Sequence, residues 1–175
     1  VWFFDCGIKQ LEGNYVVDEK VGLWSYFSKD GSVAEEITFS GGKRDGRSTV
    51  WLTPEEKQEE KFYKNGKLDG PSTFWENGYR STMTTYKSDS PEGPWVIWFS
   101  NSDQIKEQGF HQKGIREGLT TYYYEDGTMQ REGFFKEGLP DGMWTYWNKE
   151  GEKDFDFNFG SGLQHISLED LVERE

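Results

Sequence analysis

The sequence has a single cysteine, Cys6, and only two histidines, His111 and His165, in 175 residues. One thiol excludes an internal disulfide and any metal cage built from several cysteines of the same chain. Neither histidine stands in a His-x-x-x-His or similar ligand spacing, and Cys6 has no histidine close to it in sequence, so no metal, cofactor or catalytic residue is expected. Apolar runs are short, none approaching the ~20 residues that cross a bilayer. Methionine numbers three and aliphatic residues are few, which argues against an aliphatic helical core. Basic residues are in the minority, 20 against 32 acidic ones, for a net charge of −12. Nucleic acids and anionic membranes would on average be repelled by such a surface, and neither is expected as a partner. No cleaved leader is expected in these residues, and compartment is left between cytoplasm and cell envelope.

What the chain does have is glycine, 21 residues, and aromatic side chains at 17%. The segment from Gly118 to Gly142 shows their arrangement. Alternating residues flank Asp126-Gly127, a dipeptide that tolerates the positive φ angles of a two-residue turn, so the segment predicts a β-hairpin. At Gly142 the same pattern begins again, with a turn at Glu150-Gly151. Aligning on the opening glycine gives Gly22, Gly46, Gly70, Gly93, Gly118 and Gly142, at intervals of 24, 24, 23, 25 and 24 residues. Such regularity marks a repeat array. Residues 1–21 match the back part of a unit, so the chain is expected to begin partway through a longer array.

Columns across the units carry the fold expectation. Two residues after the glycine stand Trp24, Ser48, Ser72, Trp95, Thr120 and Trp144, and four after it Tyr26, Val50, Phe74, Ile97, Tyr122 and Tyr146. Alternation puts these on one face of a strand. Five after it come Phe27, Trp51, Trp75, Trp98, Tyr123 and Trp147, which point to the other face. This ladder is the candidate partner-binding surface, and its competing role is to stack from unit to unit. With Asp30-Gly31 as central turn residues, Lys29 pairs with Ser32, Trp24 faces Ile37 and Gly22 faces Phe39. Phe39, Tyr63, Tyr86, Phe110, Phe135 and Phe159 then each cover an opening glycine. In the third unit both the Asn77-Gly78 turn and Tyr86 come one residue early. Units two and four, with Pro54 and with Asn101-Ser-Asp-Gln104, are expected to have wider tips.

The expected fold is all-β: an elongated antiparallel meander of hairpin repeats over residues 1–162, about twelve to thirteen strands. In the tail, Ser167 with Asp170, Ile166 with Leu171, and the stripe Leu168, Leu171, Val172 predict a capping helix over 163–175.

Gly22-Leu-Trp24-Ser-Tyr26, Gly142-Met-Trp144-Thr-Tyr146, Gly66-Lys-Leu-Asp-Gly70 and Gly138-Leu-Pro-Asp-Gly142 give the chain its family likeness. It resembles MORN repeats, of the bacterial variant type often labelled antitoxin components, over about nine tenths of its length. The resemblance implies an extended meander used for protein association, with membrane attachment proposed for some members. Tyr122-Tyr123-Tyr124 also echoes the aromatic-glycine hairpins that bind choline or glucans at bacterial surfaces. Three functional expectations follow. The first is a non-enzymatic scaffold for protein–protein interaction, with a basic or neutral partner drawn to its acidic tips. The others are an aromatic-rich surface module for carbohydrate or choline-type ligands, and an antitoxin-like binder of a toxin protein.

Overall fold

The computed structural model describes residues 1–160. The helix expected at 163–175 lies outside the described residues. Those described contain no helix, and fifteen strands form one antiparallel sheet. The strands are β1 (Trp2–Phe3), β2 (Lys9–Val16), β3 (Glu19–Phe27), β4 (Val33–Ser40), β5 (Lys43–Trp51), β6 (Lys57–Lys64), β7 (Lys67–Glu76), β8 (Tyr79–Lys87), β9 (Ser90–Trp98), β10 (Ile105–Gln112), β11 (Ile115–Arg116), β12 (Gly118–Tyr123), β13 (Met129–Lys136), β14 (Leu139–Trp147) and β15 (Lys153–Asn158). Each pairs with its neighbour in sequence; β11 is a two-residue piece on β10, and β12 continues the order. The meander is open.

Pairing within units follows the expected register. Gly22 faces Phe39, Trp24 faces Ile37 and Gly118 faces Phe135. Unit three keeps register through its shared deletion, with Gly70 opposite Tyr86 and a two-residue Asn77-Gly78 turn at φ 52° and 80°. The Asp-Gly tips depart from expectation. Ser28 rather than Lys29 meets Ser32, leaving the three-residue loop Lys29-Asp30-Gly31, in which Gly31 alone has positive φ. The Asp30 carboxylate accepts the Ser32 N–H at 2.9 Å, a side-chain turn that fixes the shorter aspartate in place. Asp126 does the same for Thr128, and Gly151 closes an equivalent loop. Unit two keeps the same loop length without glycine, because Thr53 Oγ1 accepts the N–H groups of Glu55 and Glu56. Only unit four widens, by one residue, with Phe99 N–H reaching Gln104.

Apart from the Asn77-Gly78 tip, turns with two positive φ angles sit at the connections between units: Val17-Asp18, Gly41-Gly42, Asn65-Gly66, Ser88-Asp89, Lys113-Gly114 and Glu137-Gly138. An acidic residue precedes every opening glycine but Gly22, which follows Val21, and four of these five side chains hold such a turn. Asp45, Asp69, Glu92 and Glu117 accept the N–H of Asn65, Ser88, Lys113 and Glu137, so at these four places one connection holds the next.

At three of the opening glycines no ring fills the Cβ position, whereas on Gly70 a Cβ would meet Phe62, its Cβ at 2.9 Å and its first ring carbon at 3.6 Å. A Cβ on Gly22, Gly118 or Gly142 would meet nothing within 4 Å. What requires glycine is a φ of 67–127° where three residues of one strand face one of the previous strand. In unit four this position opposite Gly93 belongs to His111, and Phe110, expected there, turns outward.

The core is a row across one face. Trp24, Trp95 and Trp144 lie beside Gly13, Gly109 and Gly133 of the preceding or following strand, and each indole occupies the space a Cβ would need. Trp24 and Trp144 donate Nε1–H to the carbonyls of Asn14 and Phe134, at 3.3 and 3.2 Å. Phe39 packs on Trp24, and Phe135, Phe159 and Tyr122 surround Trp144.

Candidate functional site

The six ladder residues lie on the face away from this tryptophan row, near the hairpin tips. In each the partner across the strand pair is fixed: Phe27 with Val33, Trp51 with Lys57, Trp75 with Arg80, Trp98 with Ile105, Tyr123 with Met129 and Trp147 with Lys153. Trp98 is buried and the other five are half-buried. The competing role, stacking from unit to unit, is not seen: no two of these rings stack on one another among the described residues, and the aromatic pairs belong to the opposite face. Cations fill the intervals. The Lys57 ammonium lies 5.8 Å from the Trp51 ring and 5.5 Å from that of Trp75, Lys9 lies 5.3 Å from Phe27, and the Arg80 guanidinium 4.8 Å from Trp98.

Beside the ladder, one pleat further from the tips, runs a row that sequence columns did not suggest. Glu12, Ser25, Glu36, Thr49, Glu60 and Thr73 are successive cross-strand neighbours, followed by Met83, Val96, Gln108, Thr121, Glu132, Thr145 and Asp156. Carboxylates alternate with hydroxyls, and Ser25, Thr49 and Thr121 are buried between their longer neighbours. Three of the carboxylates hold a lysine of their own strand: Lys9 with Glu12 and Lys57 with Glu60 at 2.7 Å, and Lys153 with Asp156 at 2.5 Å. The hydrogen bond from Lys153, then that from Thr145, holds the Asp156 carboxyl below its ordinary pKa. The signal for this row was a Lys-x-x-Glu or Lys-x-x-Asp spacing that recurs at multiples of the repeat length, at Lys9, Lys57 and Lys153.

Further along the same face, towards the connections, four apolar side chains on adjacent strands stand in solvent: Phe110, Leu119, Phe134 and Met143. The Phe134-Phe135 doublet divides between faces, Phe134 being 56% exposed and Phe135 6%. Column reading noticed only Phe135.

On the tryptophan-row side, cations lie over rings as well. Arg116 lies 4.3 Å from the Trp95 ring, donates to Tyr122 Oη at 3.1 Å and meets Glu107 at 3.3 Å. Burial, opposed in part by Arg116, raises the Tyr122 pKa. Tyr122 helps line a cleft of about 630 Å³ with Phe99, Lys106, Arg131 and Lys149. His111 packs against Trp95, and burial, then Arg116, lowers its pKa. Cys6 is exposed. Among the described residues no three His, Cys, Asp or Glu side chains are grouped to hold a metal ion, and no helix is long and apolar enough to cross a membrane.

No curated protein matches the chain. Two stretches, residues 20–40 and 116–137, match the MORN repeat variant, one over the first complete unit and one over the fifth. At those two places the chain therefore carries MORN-variant repeats on an open antiparallel meander.

Proposed function

We propose that this chain is a non-enzymatic repeat scaffold whose ladder face binds another protein. The observation that carries the reading is the strip Phe110, Leu119, Phe134 and Met143, exposed on four neighbouring strands of one open sheet. A contiguous apolar strip rimmed by polar rows is the usual composition of a protein-binding patch. Repeats of this kind are associated with protein or membrane interaction. The carboxylate row beside the strip favours a basic or neutral partner, as does the net charge of −12. A toxin bound by an antitoxin-like chain would be one instance of such a partner. A sugar or choline platform is supported less well, because stacking needs open ring faces and Lys9, Lys57 and Arg80 lie over Phe27, Trp51, Trp75 and Trp98.

The test is photocrosslinking in native cells from position 134 on the strip, with position 155, exposed on the opposite face, as control. A defined protein joined from position 134 and absent from position 155 is the expected result. Equal labelling from both positions, or none from position 134, would overturn the reading.

A further inference from the structure

The ladder face repeats one niche several times, and the chain fills three copies with its own lysine. In each, a lysine paired across the strand from an aromatic residue, Phe3 for Lys9, Trp51 for Lys57 and Trp147 for Lys153, turns its ammonium onto the acidic residue three positions on. The next ladder ring forms the wall, Phe27 beside Lys9 and Trp75 beside Lys57. At the equivalent register in the first complete unit stands Val33, opposite Phe27, while the carboxylate Glu36 and the next ring, Trp51, are retained.

Valine is shorter than lysine by the stem and the ammonium. The space those atoms take elsewhere is here a hollow of about 200 Å³ lined by Val33, Glu36, Trp51 and Pro54. Glu36 makes no ion pair among the described residues. Met129 takes the same register beside Glu132, with a side chain nearly as long as that of lysine.

We propose that this hollow receives the primary ammonium of a lysine carried by a partner protein, with Glu36 as acceptor and the Trp51 ring as wall. The proposal rests on the reading that the ladder face binds protein. The filled copies set the chemistry: N–H donation to a carboxylate at 2.5–2.7 Å, which a quaternary ammonium has no hydrogen to make. At the same register in the third unit the carboxylate is replaced by Met83, and Arg80 pairs instead with Asp103 across the hairpin tips at 3.2 Å, its planar guanidinium lying over Trp98.

The probe is the capped tripeptide acetyl-Gly-Lys-Gly-amide, with its Nε-acetyl and Nε-trimethyl forms, followed by the Trp51 indole N–H resonance. Wild type should show a saturable shift with the lysine probe, at least fivefold weaker with the trimethyl form and absent with the acetyl form. Glu36→Gln should weaken binding at least tenfold. Val33→Lys should abolish it, because the variant's own ammonium fills the hollow; its unchanged melting temperature shows that the fold persists. Equal binding of all three probes, or a shift that survives both substitutions, would overturn the proposal. With the protein crosslinked from position 134 in hand, Val33→Lys should reduce its capture at least fivefold. Unchanged capture would overturn the lysine assignment and leave the scaffold reading standing. A lysine-probe response with the expected variant pattern but no protein joined at position 134 would overturn the scaffold reading and the protein source of the lysine together.

Discussion

Lys57 Nζ and Glu60 Oε2 are 2.7 Å apart although a regular strand would send residues three apart to opposite faces. Val50 pairs with Glu59 and Trp51 with Lys57, so Gln58 is an extra residue, and this bulge returns Lys57 to the face of Glu60. The pair is partly buried, with side chains 31% and 19% exposed. A double-mutant cycle of Lys57→Met and Glu60→Gln should give a coupling of about 0.5–1 kcal/mol that shrinks in high salt. Urea unfolding of the four proteins measures it, and additive effects would show that the two charges do not interact.

Two kinds of glycine should respond differently to alanine. At Gly133 a Cβ would stand 2.2 Å from the Trp144 indole, so Gly133→Ala must displace the most buried ring of the sheet. A loss of about 3 kcal/mol is expected, at the upper end for overpacking. At Gly22 space is open but φ is +69°, and Gly22→Ala should cost about 1–2 kcal/mol from the backbone alone. Trp144→Leu, whose side chain is smaller, should lessen the penalty of Gly133→Ala and leave that of Gly22→Ala unchanged; equal penalties in both backgrounds would count against the packing account.

His111 supplies a pH dependence. Burial and then Arg116 lower its pKa from the ordinary 6.5, so the folded protein takes up this proton less readily than the unfolded chain. The associated stability is fully present above about pH 6.5 and is lost as pH falls towards and through the lowered value. His111→Phe, the residue found at the equivalent Phe39 and Phe135, should gain on wild type as pH drops from 7.5 to 5. Urea midpoints at the two pH values test this, and a constant difference would contradict it.

Thr120 is fully buried, and its Oγ1 has no hydrogen-bond partner. Thr120→Val keeps the shape and removes the stranded hydroxyl, so stability should rise by about 1 kcal/mol. A fall in the unfolding midpoint would mean that the hydroxyl is satisfied in solution.

Much of the fold was legible because glycine spacing and strand alternation act locally. Gly22 against Phe39 and Gly118 against Phe135 followed from counting outward from a turn. The turn itself was misread, since Asp-Gly suits two loop types and the Asp30 side chain selects the three-residue one through Ser32. The count still worked because the bulge at Ala34 absorbs the difference before Glu35. Bulges also explain the failure at Phe110. Two adjacent aromatic residues, Phe110 and His111, compete for the place opposite Gly93, and composition alone favours the wrong one. The ladder was located correctly on its face, but its lack of ring stacking depends on where bulged strands send Lys9 and Lys57, which no column of aromatic residues reveals.

Strand pairing confined to chain neighbours has a consequence for how the protein is made. Each hairpin can close as soon as it leaves the ribosome, waiting only for the segment just behind it, so contact order stays low however many units are added. Damage at one terminus should accordingly spread by fraying from unit to unit, and amide hydrogen exchange would record it as a gradient along the array rather than a single cooperative loss.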